Sequence, residues 1–472
     1  MRQPAPPPFA PGRHRLFGHL RAVASDHLPF LRAAADTGPV QRLRMGPVTA
    51  YLVTEPSLIR QVTLDASTYR GGRIAKGLHH LVGDATITLD GQAHRTRRRH
   101  LQQTTFRPEH VERYRAICAT KAASRCAAWT PDAPLDIVDE MLRLCIDTLI
   151  TSVDAERDTP PASIAELAAA TTIISQGLQL RIALPRLAPH LPIRGRLRYP
   201  RAVHRVHDEI AAIRAARAVG HDTRTELPAQ RQDAHAAHAA LRSCGRATDT
   251  LSPNEVCDEL ADIVAGGVEA PALLCAWALH EVALRRDVER RLHDEVDTRL
   301  AGRGAQPGDL PHLPYSRSIV METLRRRPAF PLIGREPVTD TCLDGFRIPR
   351  GRPVLLSIYS AHHQTRWYPD PEHFDPERWL AGRVPQPPRQ AFLPFGAGAH
   401  HCPASTLAPD LATLVLATVA SRHRLRHLEG ILPRAVGGFT LRPEPLIMTS
   451  RPRARRPDAP QGARHTDRTF PV

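Results

Sequence analysis

Apolar residues recur at helix-like spacing over residues 107–130, 135–155, 200–218, 252–283, 285–301 and 315–326, the periodicity of helices that bury one face. Short runs with strand character fall near 39–54, within 335–357 and near 436–450, where Gly437-Gly438 offers a turn. Residues 220–250 are polar and rich in His and Ala, and read as a connection between helices. The pattern predicts a mainly α protein with minor β sheets. Residues 1–12 are Pro-rich and expected to form an extended arm. From Arg451 to Val472 the chain is basic and polar, and a tail without a packed core is expected. Nothing between those ends demands a linker, so 13–450 is expected to form one domain.

One helical stretch is unusually well marked. Ser252-Pro253-Asn254-Glu255 combines a capping hydroxyl, a proline at the first helical position and a glutamate at the third. A helix from there to about Val282 would run about 45 Å at 1.5 Å per residue. Its centre, Ala265-Gly266-Gly267-Val268-Glu269-Ala270-Pro271, is a poor helix: each glycine costs about 1 kcal/mol and the proline about 3 kcal/mol relative to alanine. A helix weakened at its middle suits something flat packed against its backbone.

Composition narrows the function classes. No run of about 18 apolar residues occurs, and Met1-Arg2-Gln3-Pro4 does not open a signal peptide, so a cytoplasmic protein without a membrane segment is expected. Eight cysteines with no Cys-x-x-Cys pair suit reduced thiols rather than a disulfide frame or structural zinc. The net charge of +16 raises the question of nucleic acid. Only Lys76 and Lys121 are lysines, however, and the arginines are spread along the chain, so no specific nucleic-acid partner is expected. A basic face for an acidic electron-transfer protein is the narrower reading.

The chemistry gathers around Leu393-Pro394-Phe395-Gly396-Ala397-Gly398-Ala399-His400-His401-Cys402-Pro403. Its glycines permit unusual backbone angles and close approach to a bulky group. A cysteine after such a loop can be held as thiolate by N–H donors and a metal, with a helix predicted over 404–420, where Pro409 would introduce a kink. Taken alone, a buried turn thiol explains it as well. With Glu322-Thr323-Leu324-Arg325 and Pro376-Glu377-Arg378-Trp379 in the same chain, the sequence resembles the cytochrome P-450 family over roughly residues 10–450. Phe395, Gly396, Gly398, His400 and Cys402 match its cysteine loop, and the other two segments match its Glu-x-x-Arg and Pro-Glu-Arg motifs.

The resemblance implies the cytochrome P-450 fold, a triangular helical prism around a buried haem, with 13–450 as the catalytic domain. It implies haem b with its iron ligated axially by the Cys402 thiolate, and a structural triad of Glu322, Arg325 and Arg378. It also implies haem propionates held by His94, Arg98, Arg335 and His400. Arg95, Arg97 and Arg99 are expected on an exposed basic face. The pairs His79-His80, His235/His238 and His362-His363 bring no zinc-like ligand set and are expected at the surface, although His362 falls where the family has a structural histidine. Electrons would come from NAD(P)H through a ferredoxin and ferredoxin reductase, with O2 and a small, mostly apolar substrate as reactants. Substrate contacts are expected near 70–82, 172–184, 264–270, 329–335 and 437–440, and the chain resembles actinobacterial members of the family that oxidise terpenes in natural-product pathways.

Two positions depart from the family. Gly266, Gly267 and Glu269 fit its oxygen-binding helix, but Ala270 replaces the threonine that organises proton delivery during oxygen activation. Glu269 is then expected to relay protons. Readings in which peroxide is used directly, or in which dehydration or rearrangement replaces oxygenation, stay open, as does a non-catalytic haem or ligand-binding protein. After the cysteine, Pro403 removes one N–H that could have pointed at the sulfur, which leaves a more electron-rich thiolate or simply opens the next helix.

Overall fold

The computed structural model describes residues 5–15, 18–19, 27–46, 48–153, 159–183, 197–222, 251–382 and 389–453. The expected connection 220–250, with His235 and His238, lies almost wholly outside them. Helices dominate and the strands form small sheets.

The centre is the helix Glu269–Leu284, whose residues from Pro271 to Val282 are all buried. A helix apolar on every face has to be surrounded. Here Ile137–Val153, Pro314–Arg326 and Leu407–Arg422 pack around it. Its small residues Ala272, Ala276 and Ala278 admit close neighbours, while Trp277 fills space and donates its indole N–H to the Leu441 carbonyl at 2.9 Å. Among the described residues, Asn254–Leu284 is the one stretch long and apolar enough to cross a membrane, and most of it lies inside the fold.

A second, smaller core lies against the five-stranded sheet. Its strands run in the order Val40–Met45, Val48–Val53, Val354–Ser357, Leu332–Pro337 and Tyr69–Arg70. The first two form an antiparallel hairpin, and Val48–Val53 pairs in parallel with Val354–Ser357. Pro134–Asp136, Ile447–Pro452 and His423–His427 make an antiparallel three-stranded sheet, and Arg434–Gly437 pairs with Leu441–Glu444 across the expected glycine turn.

Four expectations change. The helix expected over 252–283 is two helices, Pro253–Gly267 and Glu269–Leu284, interrupted at Val268. The predicted capping box of Ser252 and Glu255 opens the first. The break follows from Pro271, which has no N–H to return to the Gly267 carbonyl and is tolerated only in a first turn. The helix after the cysteine starts at Leu407, not 404, so Pro409 sits in its first turn and causes no kink. Residues 5–10 form no free arm: Ala10 N–H donates to the Arg42 carbonyl and Arg42 N–H to the Pro8 carbonyl. At the other end the last strand runs to Pro452, and Arg453 pairs with Asp297 at 2.8 Å, so packing reaches three residues into the expected tail.

Candidate active site

The loop before Cys402 is shaped by what it rests on. Gly398 has φ +72°, and a Cβ there would stand 2.1 Å from the Thr63 carbonyl oxygen, so no side chain fits. Cys402 N–H donates to the Phe395 carbonyl at 3.0 Å, closing the loop on itself. Leu393 N–H donates to His362 Nε2 at 2.9 Å, which ties the loop to the fully buried His362. His362 Nδ1 lies 3.0 Å from the Arg325 carbonyl. Since Nε2 accepts, Nδ1 carries the proton and the ring is neutral. Burial, with the Arg325 charge, pushes its pKa down to about 3.

Cys402 is half-buried and lines a cavity of about 490 Å³. Burial raises its thiol pKa, opposed by the Ala404 N–H and by Arg98. The N–H that reaches the sulfur is thus Ala404's, one residue beyond the proline. A turn separates Cys402 from the helix at Leu407, so the sulfur stands one turn before the helix rather than at its first residue.

His94, Arg98, Arg335 and His400 all line this cavity. His94 and Arg98 come from the helix Gly91–Gln103 and Arg335 from the strand Leu332–Pro337. The rings of His94 and His400 lie 4.0 Å apart between centroids. Burial, with His400 and Arg98, pushes His94 down to about 4. Asp90, which sequence reading did not single out, stands 3.4 Å from His400 and accepts the Gly71 N–H. Burial lowers the pKa of both Arg98 and Arg335. Arg335 donates to its neighbour's carbonyl, Gly334, at 2.8 Å, and neither arginine has a carboxylate within ion-pair distance among the described residues.

Gly266, Gly267, Val268, Ala270 and Pro271 also line the cavity. A Cβ added at either glycine would meet nothing within 4 Å, so the space beside this backbone is open. Glu269 does not line the cavity. It is buried and pairs with Arg442, while Thr440 Oγ1 donates to it at 3.2 Å. Arg442 also bonds Glu444 at 2.7 Å. A buried carboxylate takes the nearest cation, and that cation sits on the hairpin rather than in the cavity. Glu269, the expected proton relay, therefore stands off the cavity lining.

Glu322 and Arg325 are fully buried and bidentate, at 2.9 and 2.8 Å, and Arg378 stands 3.5 Å from the same carboxylate. Trp379 Nε1–H and Asp375 N–H donate to Glu322 as well, at 2.9 and 3.1 Å. Arg325 spends its other donors on the carbonyls of His362 and Pro371, both at 2.8 Å.

Two surface expectations are corrected. Arg97 is buried, not exposed, bonding Glu255 at 2.7 Å and Glu259 at 3.2 Å, while Arg95 and Arg99 are exposed. His362 is core, and His363 is half-buried against the Tyr359 carbonyl, whereas His79 and His80 are exposed. Of the expected substrate segments, 172–184 gives the lining no residue; its neighbours Leu167 and Thr171 do. Among the described residues no group of three His, Cys, Asp or Glu could hold a metal ion.

The family model for cytochrome P-450 matches residues 6–449. The chain belongs to the cytochrome P-450 family. It is accordingly a monooxygenase whose cofactor is haem held by a cysteine thiolate, with electrons drawn from NAD(P)H through redox partners. It is 34% identical to the cyclooctat-9-en-7-ol 5-monooxygenase of Streptomyces melanosporofaciens, over 94% of this chain and 95% of that one. With the pentalenene oxygenase of Streptomyces avermitilis it shares 30% identity over 88% and 90%. A solved P-450 haem domain superposes with a TM-score of 0.78 at 19% identity, covering 96% of this chain and 98% of that one, so the fold is the P-450 fold. The residues present fit haem. A thiol lines the cavity, two arginines on its lining have no carboxylate within ion-pair distance among the described residues, and open space runs along the Gly266-Gly267 backbone.

Proposed function

We propose that this chain is a cytoplasmic monooxygenase that inserts one oxygen atom from O2 into a medium-sized, mostly apolar terpenoid. Electrons pass from NAD(P)H through a separate ferredoxin reductase and ferredoxin. In this reading Cys402 would hold the haem iron as thiolate, and Arg98 and Arg335, with His94 and His400, would hold the propionates. When bound, haem supplies the oxygen-activating chemistry. The chain's own residues supply the rest. Phe395, Gly396 and Gly398 hold the cysteine loop in shape. Glu322, Arg325 and Arg378 fix the segment beneath it. Gly266, Gly267 and Ala270 leave room on the far wall. Glu269 acts from outside the cavity, as the residue that anchors the helix break to the hairpin through Arg442.

The observation that carries the reading is the convergence of Cys402, two arginines without an ion-paired carboxylate among the described residues, and the glycine-lined helix break on one cavity. The largely apolar lining and the names of the relatives support a terpenoid substrate. A second reading, direct use of peroxide, is favoured by Ala270 on the lining together with the engagement of Glu269 by Arg442. The test is turnover of a terpenoid panel with isotopically labelled O2, ferredoxin, its reductase and NADPH, beside a parallel reaction with peroxide alone. Labelled product only in the first reaction supports the proposal. Product only with peroxide supports the second reading.

A further inference from the structure

Three acids on the helix Pro253–Gly267 strap down the segment that precedes the haem-side helix. Asp258 accepts the Asp84 N–H at 2.9 Å, Glu259 the Thr86 N–H at 2.9 Å, and Asp262 Oδ2 the Ile87 N–H at 3.3 Å. Glu259 is further compensated by the Thr86 hydroxyl and by Arg97. Asp262 differs from both, because it lines the cavity. Two acids stand on that lining, Glu209 and Asp262, and Glu209 is paired with Arg205 at 3.1 Å. The hydrogen bond that Asp262 makes among the described residues is the one to Oδ2 from the Ile87 N–H.

Its neighbours on the lining are Ile87, Leu260, Ile263 and Val264. A carboxyl facing an apolar cavity with one oxygen unused is costly unless something in the cavity bonds to it. A role confined to holding the loop would need Oδ2 alone.

Building on the terpenoid reading above, we propose that Asp262 is the polar anchor of the substrate pocket, hydrogen-bonded through Oδ1 to a single hydroxyl on an otherwise hydrocarbon substrate. Burial, then the nearby Glu259 charge, raises its pKa to about 7. The carboxyl is therefore not firmly ionised, and a neutral hydroxyl, which both donates and accepts, matches either protonation state. An apolar site that offers one hydrogen bond separates ligands chiefly by whether they carry the matching group.

The experiment titrates haem-loaded, full-length protein with cedrol and with its parent hydrocarbon cedrane. Binding is followed by the spin-state shift of the haem band and by calorimetry, in wild type, Asp262→Asn and Asp262→Leu. Wild type is expected to bind cedrol about tenfold or more tighter than cedrane. Asp262→Leu also loses the Ile87 contact, and it is expected to bind the two equally, any loss from that contact falling on both alike. Asp262→Asn, whose amide can still accept the Ile87 N–H, is expected to keep part of the preference. An alcohol preference unchanged in Asp262→Leu, or absent from wild type, overturns the anchor. So does an equal loss of both ligands in both variants, which would make Asp262 a loop clasp. Failure of wild type to bind either compound removes the apolar-substrate reading itself, and the anchor with it.

Discussion

Two clusters of arginine flank the cysteine loop and are compensated in opposite ways. Beneath it, Glu322 meets Arg325 and Arg378, Arg325 spends its other donors on backbone carbonyls, and the Asp375 N–H donates to Glu322. On the cavity lining, Arg98 and Arg335 are half-buried with no carboxylate within ion-pair distance among the described residues. The protein alone completes the first cluster, so that cluster belongs to the fold. The second has no such partner among the described residues, which fits the proposal that it serves the cofactor. Neighbouring residues repeat the lesson: Arg97 is closed by Glu255 and Glu259, whereas Arg98, next along the helix, faces the cavity.

The comparison breaks if the triad proves dispensable. Glu322→Gln should strip the charge that holds two buried arginines and cost about 3–5 kcal/mol. Denaturant unfolding should register the loss with haem present or removed. At the cavity edge, Arg98→Gln or Arg335→Gln should leave haem-free stability nearly unchanged. Each should instead weaken haem retention by about 1.5–3 kcal/mol, roughly tenfold to a hundredfold in transfer of haem to apomyoglobin. Equal effects of the two classes on haem-free protein would erase the distinction. Gly398→Ala forces a Cβ against the Thr63 carbonyl at positive φ, with about 1–3 kcal/mol of strain expected and visible as a lowered Tm.

The smallest effect at neutral pH should come from His362. Its folded pKa is about 3 and its ordinary value 6.5. Between those values the unfolded chain binds a proton that the folded one refuses, so stability falls as pH falls. Glutamine can both donate and accept but does not titrate. The slope of stability between pH 6 and 4 should therefore be shallower in His362→Gln, by up to about 1.4 kcal/mol per pH unit. An unchanged slope would show that another group governs the acid limb.

What the sequence disclosed was what is written locally. The cysteine loop, Glu322 with Arg325 one turn on, and His94 with Arg98 on one helix face all lie within short windows. The capping box at Ser252 was readable for the same reason. What it hid depends on partners far along the chain. Arg97 is buried because Glu255 and Glu259 come to it from another helix. Glu269 leaves the cavity because Arg442 arrives on a hairpin. Asp262 gains meaning only when residues 84–87 are laid over it. The helix break was half-visible: the glycines and Pro271 marked weakness, but strong periodicity on both sides favoured one continuous helix. The helix Pro161–Ala183 carries Ala, Ile and Leu around its circumference, so no single apolar stripe marks it.

The central claim is that Cys402 holds a haem iron as thiolate, and it is tested most directly by the absorption spectrum of the reduced protein under carbon monoxide. The account predicts a Soret band shifted to the red, as thiolate ligation requires, and its loss in Cys402→Ser. A wild-type band without that shift, or a shifted band that survives Cys402→Ser, would contradict it.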